Sequence, residues 1–540
     1  MLICLTALAF RLNAIGFGLP ALYDPDEPFF IITALKLLKH GTLNPGWFGH
    51  PGTTTLYTLA LIEMAALGVG LASGRFASIQ AFAAAVPIDP GIVVLPGRLF
   101  FVACALVCVL LTWAIGRRAF GERVGLAAAA LLAVNAVHIA WSQVIRTDVQ
   151  ATMFMLASVW FAMRAGEDGR MKNFLLAGAL AGVACATKWP AATVIAAPIG
   201  AALWRWRTDH QGKAAARACA LTIAAALAGT FLASPYLLLD FHTVIADVSG
   251  EVRSQHLGAT GGSPLYDLGW YALGPVRGSM GWVGLIAIPF GALLMARHPN
   301  PARIAVLAAA VAFLIAICSQ RLVWDRWLLP AIPFLTIFVA VAIDTLARAA
   351  RRRSRAAREG WTFATLFVLV LVPSCLAARA QSIERRHDTR ALASAWAIGR
   401  FPFGSRVLVE HPAMNLIRQP WHFLFPLGRE GCVDAMHLLR SEGVVSDVQK
   451  SRGESPVVDI GTVSPERLST CRADYAILTN YDRYLAEPGR FPREVTSYRR
   501  LLSRMRIVAV FRPSPGAIGG PVVRIAAACH PASMENLCTQ

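Results

Sequence analysis

Residues 53–72 read TTTLYTLALIEMAALGVGLA, and whether they cross a membrane fixes the side on which every later loop falls. A run of ~20 apolar residues is enough to span a ~30 Å hydrocarbon core. Further apolar runs occupy 2–19, 98–116, 124–141, 149–164, 174–187, 190–204, 217–235, 281–297, 303–320, 327–347 and 361–378. Lys and Arg collect in cytoplasmic loops, so the basic residues choose the topology. They cluster at Arg117-Arg118 with Arg123, at Arg164, Arg170 and Lys172, at Arg205, Arg207, Lys213 and Arg217, at Arg297 and Arg303, and from Arg348 to Arg358. All of these clusters fall inside if the N-terminus is cytoplasmic and 53–72 does not cross. All fall outside if it does. The sequence therefore predicts that 53–72 lies on, or dips into, the outer surface.

Composition agrees with a membrane chain. Of 540 residues, 56% are hydrophobic and 15% charged, against roughly 25% charged in a typical soluble domain. The mean hydropathy is +0.52, which excludes a disordered chain and argues against an ordinary soluble enzyme. The net charge of +19 would suit nucleic acid, but much of it sits in the inside loops, so no nucleic-acid partner is expected. The 11 Cys are too sparse for a disulfide scaffold, and no CxxC spacing suggests zinc.

The predicted fold is a polytopic α-helical membrane protein with about eleven transmembrane helices, outer-surface juxtamembrane helices and a C-terminal mixed α/β domain. Residues 1–378 form the membrane domain. Residues 20–97 form its first outer loop, and 142–148, 236–280 and 321–326 lie on the same side. Arg11 interrupts the first apolar run, so it either faces a polar cavity or marks a start further upstream. No basic stretch precedes that run, which argues against a cleaved signal peptide. Residues 379–540 carry short β-like runs at 407–409, 475–478 and 507–511 and form the outer domain. Its Cys432, Cys471, Cys529 and Cys538 could pair in an oxidising compartment in any of three connectivities, or stay as thiols. Gly178 and Gly182 form a GxxxG that suits helix packing.

The polar residues of the outer loops could carry chemistry. Asp24-Pro25-Asp26-Glu27-Pro28 crowds carboxylates that repel unless a cation or solvent relieves them. They could serve as a general base, as a metal-ligating pair, or only as caps for the helix that Pro28 opens. Arg146-Thr147-Asp148 stands at the mouth of a helix, where Asp148 could simply be an N-cap with Arg146 as its partner. Lys188 lies between two apolar runs too short for a full crossing, and broken helices of this kind line cavities. Arg321, Asp325, Arg326, His50-Pro51 and the stretch with Asp247, Glu251, Arg253 and His256 complete the set. Carboxylates and cations on one face suit transfer from a lipid-linked phosphate: cations offset the leaving charge while a carboxylate takes the proton of an attacking hydroxyl.

The order of these motifs resembles the GT-C membrane glycosyltransferases, in particular the branch of the protein O-mannosyltransferases and lipid A aminoarabinose transferases. The resemblance rests on Asp26-Glu27, Gly97-Arg98-Leu99 with Gly116-Arg117-Arg118, Arg146-Thr147-Asp148, Thr187-Lys188-Trp189-Pro190, Ser234-Pro235-Tyr236 leading to Asp240, and Arg326-Trp327-Leu328-Leu329-Pro330. It covers roughly residues 5–350 and, more loosely, the C-terminal domain. It implies a bacterial-type inner-membrane enzyme with a cytoplasmic N-terminus and a periplasmic C-terminal domain. The implied reaction moves a sugar, with inversion, from a polyprenyl-phosphate donor to a hydroxyl of a lipid, glycan or protein. Asp26 would be base or metal ligand, with Glu27 beside it, and Asp148 a second acid or ligand for Mg or Mn. Lys188, Arg326, Arg146, His50 and His256 would hold the donor phosphate. This chain departs at Gly49-His50, where the lipid A branch has an acid-lysine pair, and Trp follows Arg326 where Tyr is commoner. A flippase or transporter for a lipid-linked polar substrate would instead expect midplane charges and paired repeats. A non-catalytic scaffold on the same fold would have no need of both acids.

Overall fold

The computed structural model describes all residues except 51, 211, 252, 354–358, 411–412, 441–456 and 530–540. Pro51, the basic residues within 354–358 and Cys538 thus lie outside the described residues. The chain forms two compact units: residues 1–16, 26–255 and 259–379, and residues 17–25, 256–258 and 380–540.

The first unit is helical. It begins with α1 (Leu2–Leu12), α2 (Glu27–His40), α3 (Thr53–Ala72), α4 (Ile79–Ala85) and α5 (Gly91–Phe120). Then come α6 (Glu122–Ala133), α7 (Ala136–Ser142), α8 (Thr147–Asp168), α9 (Met171–Thr187), α10 (Ala196–Asp209) and α11 (Gly212–Ala233). A short α12 (Tyr236–Leu239) and α13 (Phe241–Glu251) precede α14 (Pro264–Tyr271), α15 (Arg277–Arg297), α16 (Pro301–Cys318), α17 (Ile332–Arg353) and α18 (Glu359–Arg386), of which residues 380–386 belong to the second unit. Among the described residues, seven helices are long and apolar enough to cross a membrane, or eight if the bent α6–α7 pair is one span. The sequence predicted about eleven. Part of the difference comes from short pieces: α1 stops after 11 residues, α9 has 17, and α10 has 14 after a 3₁₀ turn at Trp189–Ile195; α8, with 22 residues, is long enough but not apolar enough to count. Helix α3 meets the length criterion as well, so length alone leaves its placement to the charge argument.

Arg11 has a definite task. Helices α6 and α7 meet at a 59° bend, which frees carbonyls that a continuous helix would use. The fully buried Arg11 guanidinium donates to two of them, Ala133 O at 2.8 Å and Leu132 O at 3.3 Å, and to Nδ1 of His138 at 2.9 Å. The glycines of α9 also matter. A Cβ on Gly178 would lie 2.4 Å from the Thr222 carbonyl of α11, and one on Gly182 would lie 2.0 Å from that of Ala226. The backbones are in contact there, as the GxxxG spacing predicted. Helix α3 begins with three threonines that tie it to its neighbours: Thr53 to Ser234 (2.6 Å), Thr54 to Thr187 (2.7 Å) and Thr55 to Gln150 (2.6 Å).

The second unit holds a six-stranded sheet of β1 (Arg406–Val409), β2 (His422–Pro426), β3 (Cys432–Asp434), β4 (Tyr475–Leu478), β5 (Met505–Phe511) and β6 (Val523–Ala528). The strand order is β3-β2-β1-β4-β6-β5, with β1 parallel to both β2 and β4 and the outer pairs antiparallel. The three predicted β-like runs are β1, β4 and β5. Cys432 and Cys471 form a disulfide, and Cys529 is also disulfide-bonded.

Candidate active site

Asp26 and Glu27 are neighbours in the chain with different partners. Glu27 is fully buried. Arg98 of α5 donates from Nε to its Oε1 (2.8 Å) and from Nη2 to its Oε2 (2.6 Å), and the Ile145 amide adds a bond of 3.0 Å. Both oxygens are committed, so Glu27 braces Ile145-Arg146 against the start of α2. The expected role beside the base does not suit it, because a carboxylate closed off by a guanidinium cannot reach a substrate.

Asp26 keeps 36% of its side chain exposed and pairs with Nη1 of Arg146, with Nη1 of Arg326 3.7 Å away. Arg146 is the residue before α8, and Asp148 lies in the first turn of that helix. Lys188 follows the last residue of α9 and pairs through Nζ with Asp148, both nearly buried. The guanidiniums lie over indole rings, Arg146 over Trp141 at 5.3 Å and Arg326 over Trp324 at 4.8 Å, which holds their orientation. The unit thus gathers Asp26, Arg146, Arg326, Asp148 and Lys188, widely separated in sequence, into one cluster of three cations and two carboxylates.

His50 joins this cluster from the loop before α3. Its carbonyl accepts from the Trp189 amide at 2.8 Å, next to Lys188. Burial, then the charges of Lys188 and Arg326, push its pKa down to about 3 against the pull of Asp26 and Asp148. At neutral pH it is an uncharged imidazole. Burial alone would raise the pKa of Asp26, but Arg146, Arg326 and His50 outweigh it and hold the carboxyl at about 2. His256 falls in the other unit, where its Nδ1 is 3.1 Å from the Leu257 carbonyl.

A divalent cation does not fit the acids proposed to ligate it. Asp26 and Asp148 each already face a cationic side chain. Among the described residues no three His, Cys, Asp or Glu side chains are grouped to hold a metal ion. Sequence reading missed Trp141 and Trp324. Their one signal was an indole close in sequence to a singled-out arginine.

Residues 76–233 match the family described as dolichyl-phosphate-mannose-protein mannosyltransferase. No curated protein matches the sequence. Among solved structures, ArnT from Cupriavidus metallidurans bound to undecaprenyl phosphate is similar over 97% of this chain and 97% of its own, with a TM-score of 0.52 and 14% identity. The oligosaccharyltransferase of Archaeoglobus fulgidus in its apo form is similar over 91% of this chain and 72% of its own, with a TM-score of 0.50 and 12% identity. The chain thus has the fold of the GT-C membrane glycosyltransferases, and its residues 76–233 match their dolichyl-phosphate-mannose-protein mannosyltransferase family.

Proposed function

We propose that this multi-pass membrane protein is an inverting glycosyltransferase that moves a sugar from a polyprenyl-phosphate donor to an acceptor hydroxyl at the outer face of a bacterial-type inner membrane. The observation that carries this proposal is the cluster itself. A partly exposed carboxylate, Asp26, stands between Arg146 and Arg326, with the Lys188–Asp148 pair completing the cations. A lipid phosphate is the ligand of the similar ArnT structure, and three cations at helix ends are what such a headgroup requires.

In this scheme the acceptor oxygen attacks the anomeric carbon on the face opposite the phosphate, and its proton passes to Asp26. The bond from the anomeric carbon to the phosphate oxygen breaks, and its electron pair stays on that oxygen. Arg146, Arg326 and Lys188 offset the charge that develops there. Without donor, the same arginines are spent on Asp26 and keep it a weak base. An incoming phosphate competes for them, so donor binding itself raises the basicity of Asp26. Neutral His50 can donate one hydrogen bond to the phosphate. Glu27 and Arg98 hold the frame.

Asp26→Asn tests the scheme. Sugar transfer should fall about 10²- to 10⁴-fold, while binding of undecaprenyl phosphate is retained or tightened because two arginines lose their internal anion. Full transfer in the variant would remove the proposed base. Movement of intact donor across vesicles, with no free polyprenyl phosphate released, would point instead to a flippase.

A further inference from the structure

Beside His50 stands a group of aromatic rings, Phe29, Phe30 and Trp47, that this chemistry does not use. Trp47 meets Phe29 edge-on at 4.6 Å and lies 5.0 Å from the His50 ring, with Phe30 at 6.4 Å. Phe30 is buried and forms the foot of the group. Phe29, Trp47 and His50 remain partly exposed, so they form a wall rather than a core.

The wall is held rigid from both sides. The Phe48 amide donates to Asp247 at 2.7 Å, and the Phe48 carbonyl accepts from the Trp189 indole at 3.2 Å. Asn44 donates to Asp240 at 2.9 Å. Gly49 makes the ring's position attainable, because a Cβ there would lie 2.7 Å from Cζ2 of Trp47 and 3.1 Å from Cγ of Glu251. The wall also adjoins the charge cluster. The point where a Cβ on Gly52 would sit is 3.6 Å from Trp47 and 3.8 Å from Cγ2 of Thr147, and Thr147 stands between Arg146 and Asp148.

An aromatic face next to phosphate-binding cations suits a ring that is polar at its edge and carries C–H groups on its face. The geometry points to Trp47 as the platform on which the sugar of the lipid-phosphate donor stacks, an uncharged pyranose or furanose, with Gly49 keeping the space for the indole. This assignment rests on the donor class proposed above and adds a residue that selects the sugar.

The test measures binding by full-length protein in nanodiscs. The probes are bare undecaprenyl phosphate and undecaprenyl phosphates carrying glucose, mannose, galactose or arabinose. At least one neutral glycolipid should bind the wild type more tightly than the bare lipid. Trp47→Ala should remove about tenfold of that gain and leave bare-lipid binding within about twofold, which also shows that the variant is folded. Trp47→Phe should keep most of the gain, and Gly49→Ala should lose it by displacing the indole. Equal weakening of bare and glycosylated lipids by Trp47→Ala would overturn the assignment, because the ring would then touch lipid or phosphate. So would an intact gain in that variant, or no gain for any sugar in the wild type. Failure of bare undecaprenyl phosphate to bind the wild type would instead remove the donor class, and with it this assignment.

Discussion

Glu27 shows how far a residue's type falls short of fixing its role. Side by side in the sequence, it and Asp26 read as an interchangeable pair, yet one carboxylate faces Arg146 and Arg326 and the other closes on Arg98. The partner that separates them is 71 positions away, so no local pattern could assign it. Glu27→Gln should therefore behave as a folding variant. It leaves a buried guanidinium without its counter-charge, a loss of about 3–5 kcal/mol in comparable buried pairs. The expected outcome is a lower thermal inactivation temperature, with lipid-phosphate binding and transfer lost in parallel. Asp26→Asn should separate those properties. A Glu27→Gln protein that is fully stable and loses only turnover would make Glu27 part of the chemistry after all. The residues legible in the sequence, namely Asp26, Arg146, Asp148, Lys188 and Arg326, are ionisable groups at helix mouths, where burial is costly enough to need a reason. Trp141, Trp324 and Trp47 were not legible, because an indole in an apolar chain looks like any other membrane residue until a guanidinium or a second ring lies against it.

Among the elements, α9 has little room for change. Its glycines bring it into backbone contact with α11, and its last residue, Thr187, precedes Lys188 and bonds Thr54 of α3. Packing and site are thus joined by one helix. Gly182→Ala would place a methyl carbon 2.0 Å from the Ala226 carbonyl, and overpacking of this kind costs about 1–3 kcal/mol. The helices must part, which shifts the end of α9. The expected result is a lowered melting temperature together with weaker binding of undecaprenyl phosphate, whereas Gly200→Ala, with side-chain neighbours at 3.2 Å and 3.3 Å and the nearest backbone atom at 4.0 Å, should be milder on both. An unchanged melting temperature for Gly182→Ala would contradict the close packing. This contact was readable from spacing because it depends on small residues one turn apart. The role of Arg11 was not, since apart from the Ala7 carbonyl of its own helix its acceptors lie where α6 breaks from α7. Strands followed the same rule. Compact apolar runs announced β1, β4 and β5. The Ala-rich β6 and the Pro-ended β2 take their state from the partners they pair with.

For the whole molecule, sidedness turns on α3. Its length permits a crossing, so the argument against one is electrostatic. A crossing would move every basic cluster after residue 116 to the outer side and reverse the bias that orients membrane chains. The two ends of α3 can be probed separately, because Leu43 before it and Ile79 after it are 61% and 59% exposed. In right-side-out spheroplasts, Leu43→Cys and Ile79→Cys should both react with an impermeant maleimide, above the background of the wild-type thiols. A cysteine at Arg207, in the proposed inside loop after α10, should react only after permeabilisation. If α3 crosses, one of the first two positions is protected while the other labels, and the site built on Asp26 would then need a different account of which membrane face receives the sugar. The Cys432–Cys471 disulfide adds an independent reason to expect the outer assignment. Such bonds persist in oxidising compartments, and the topology that keeps the basic loops inside also places residues 379–540 there.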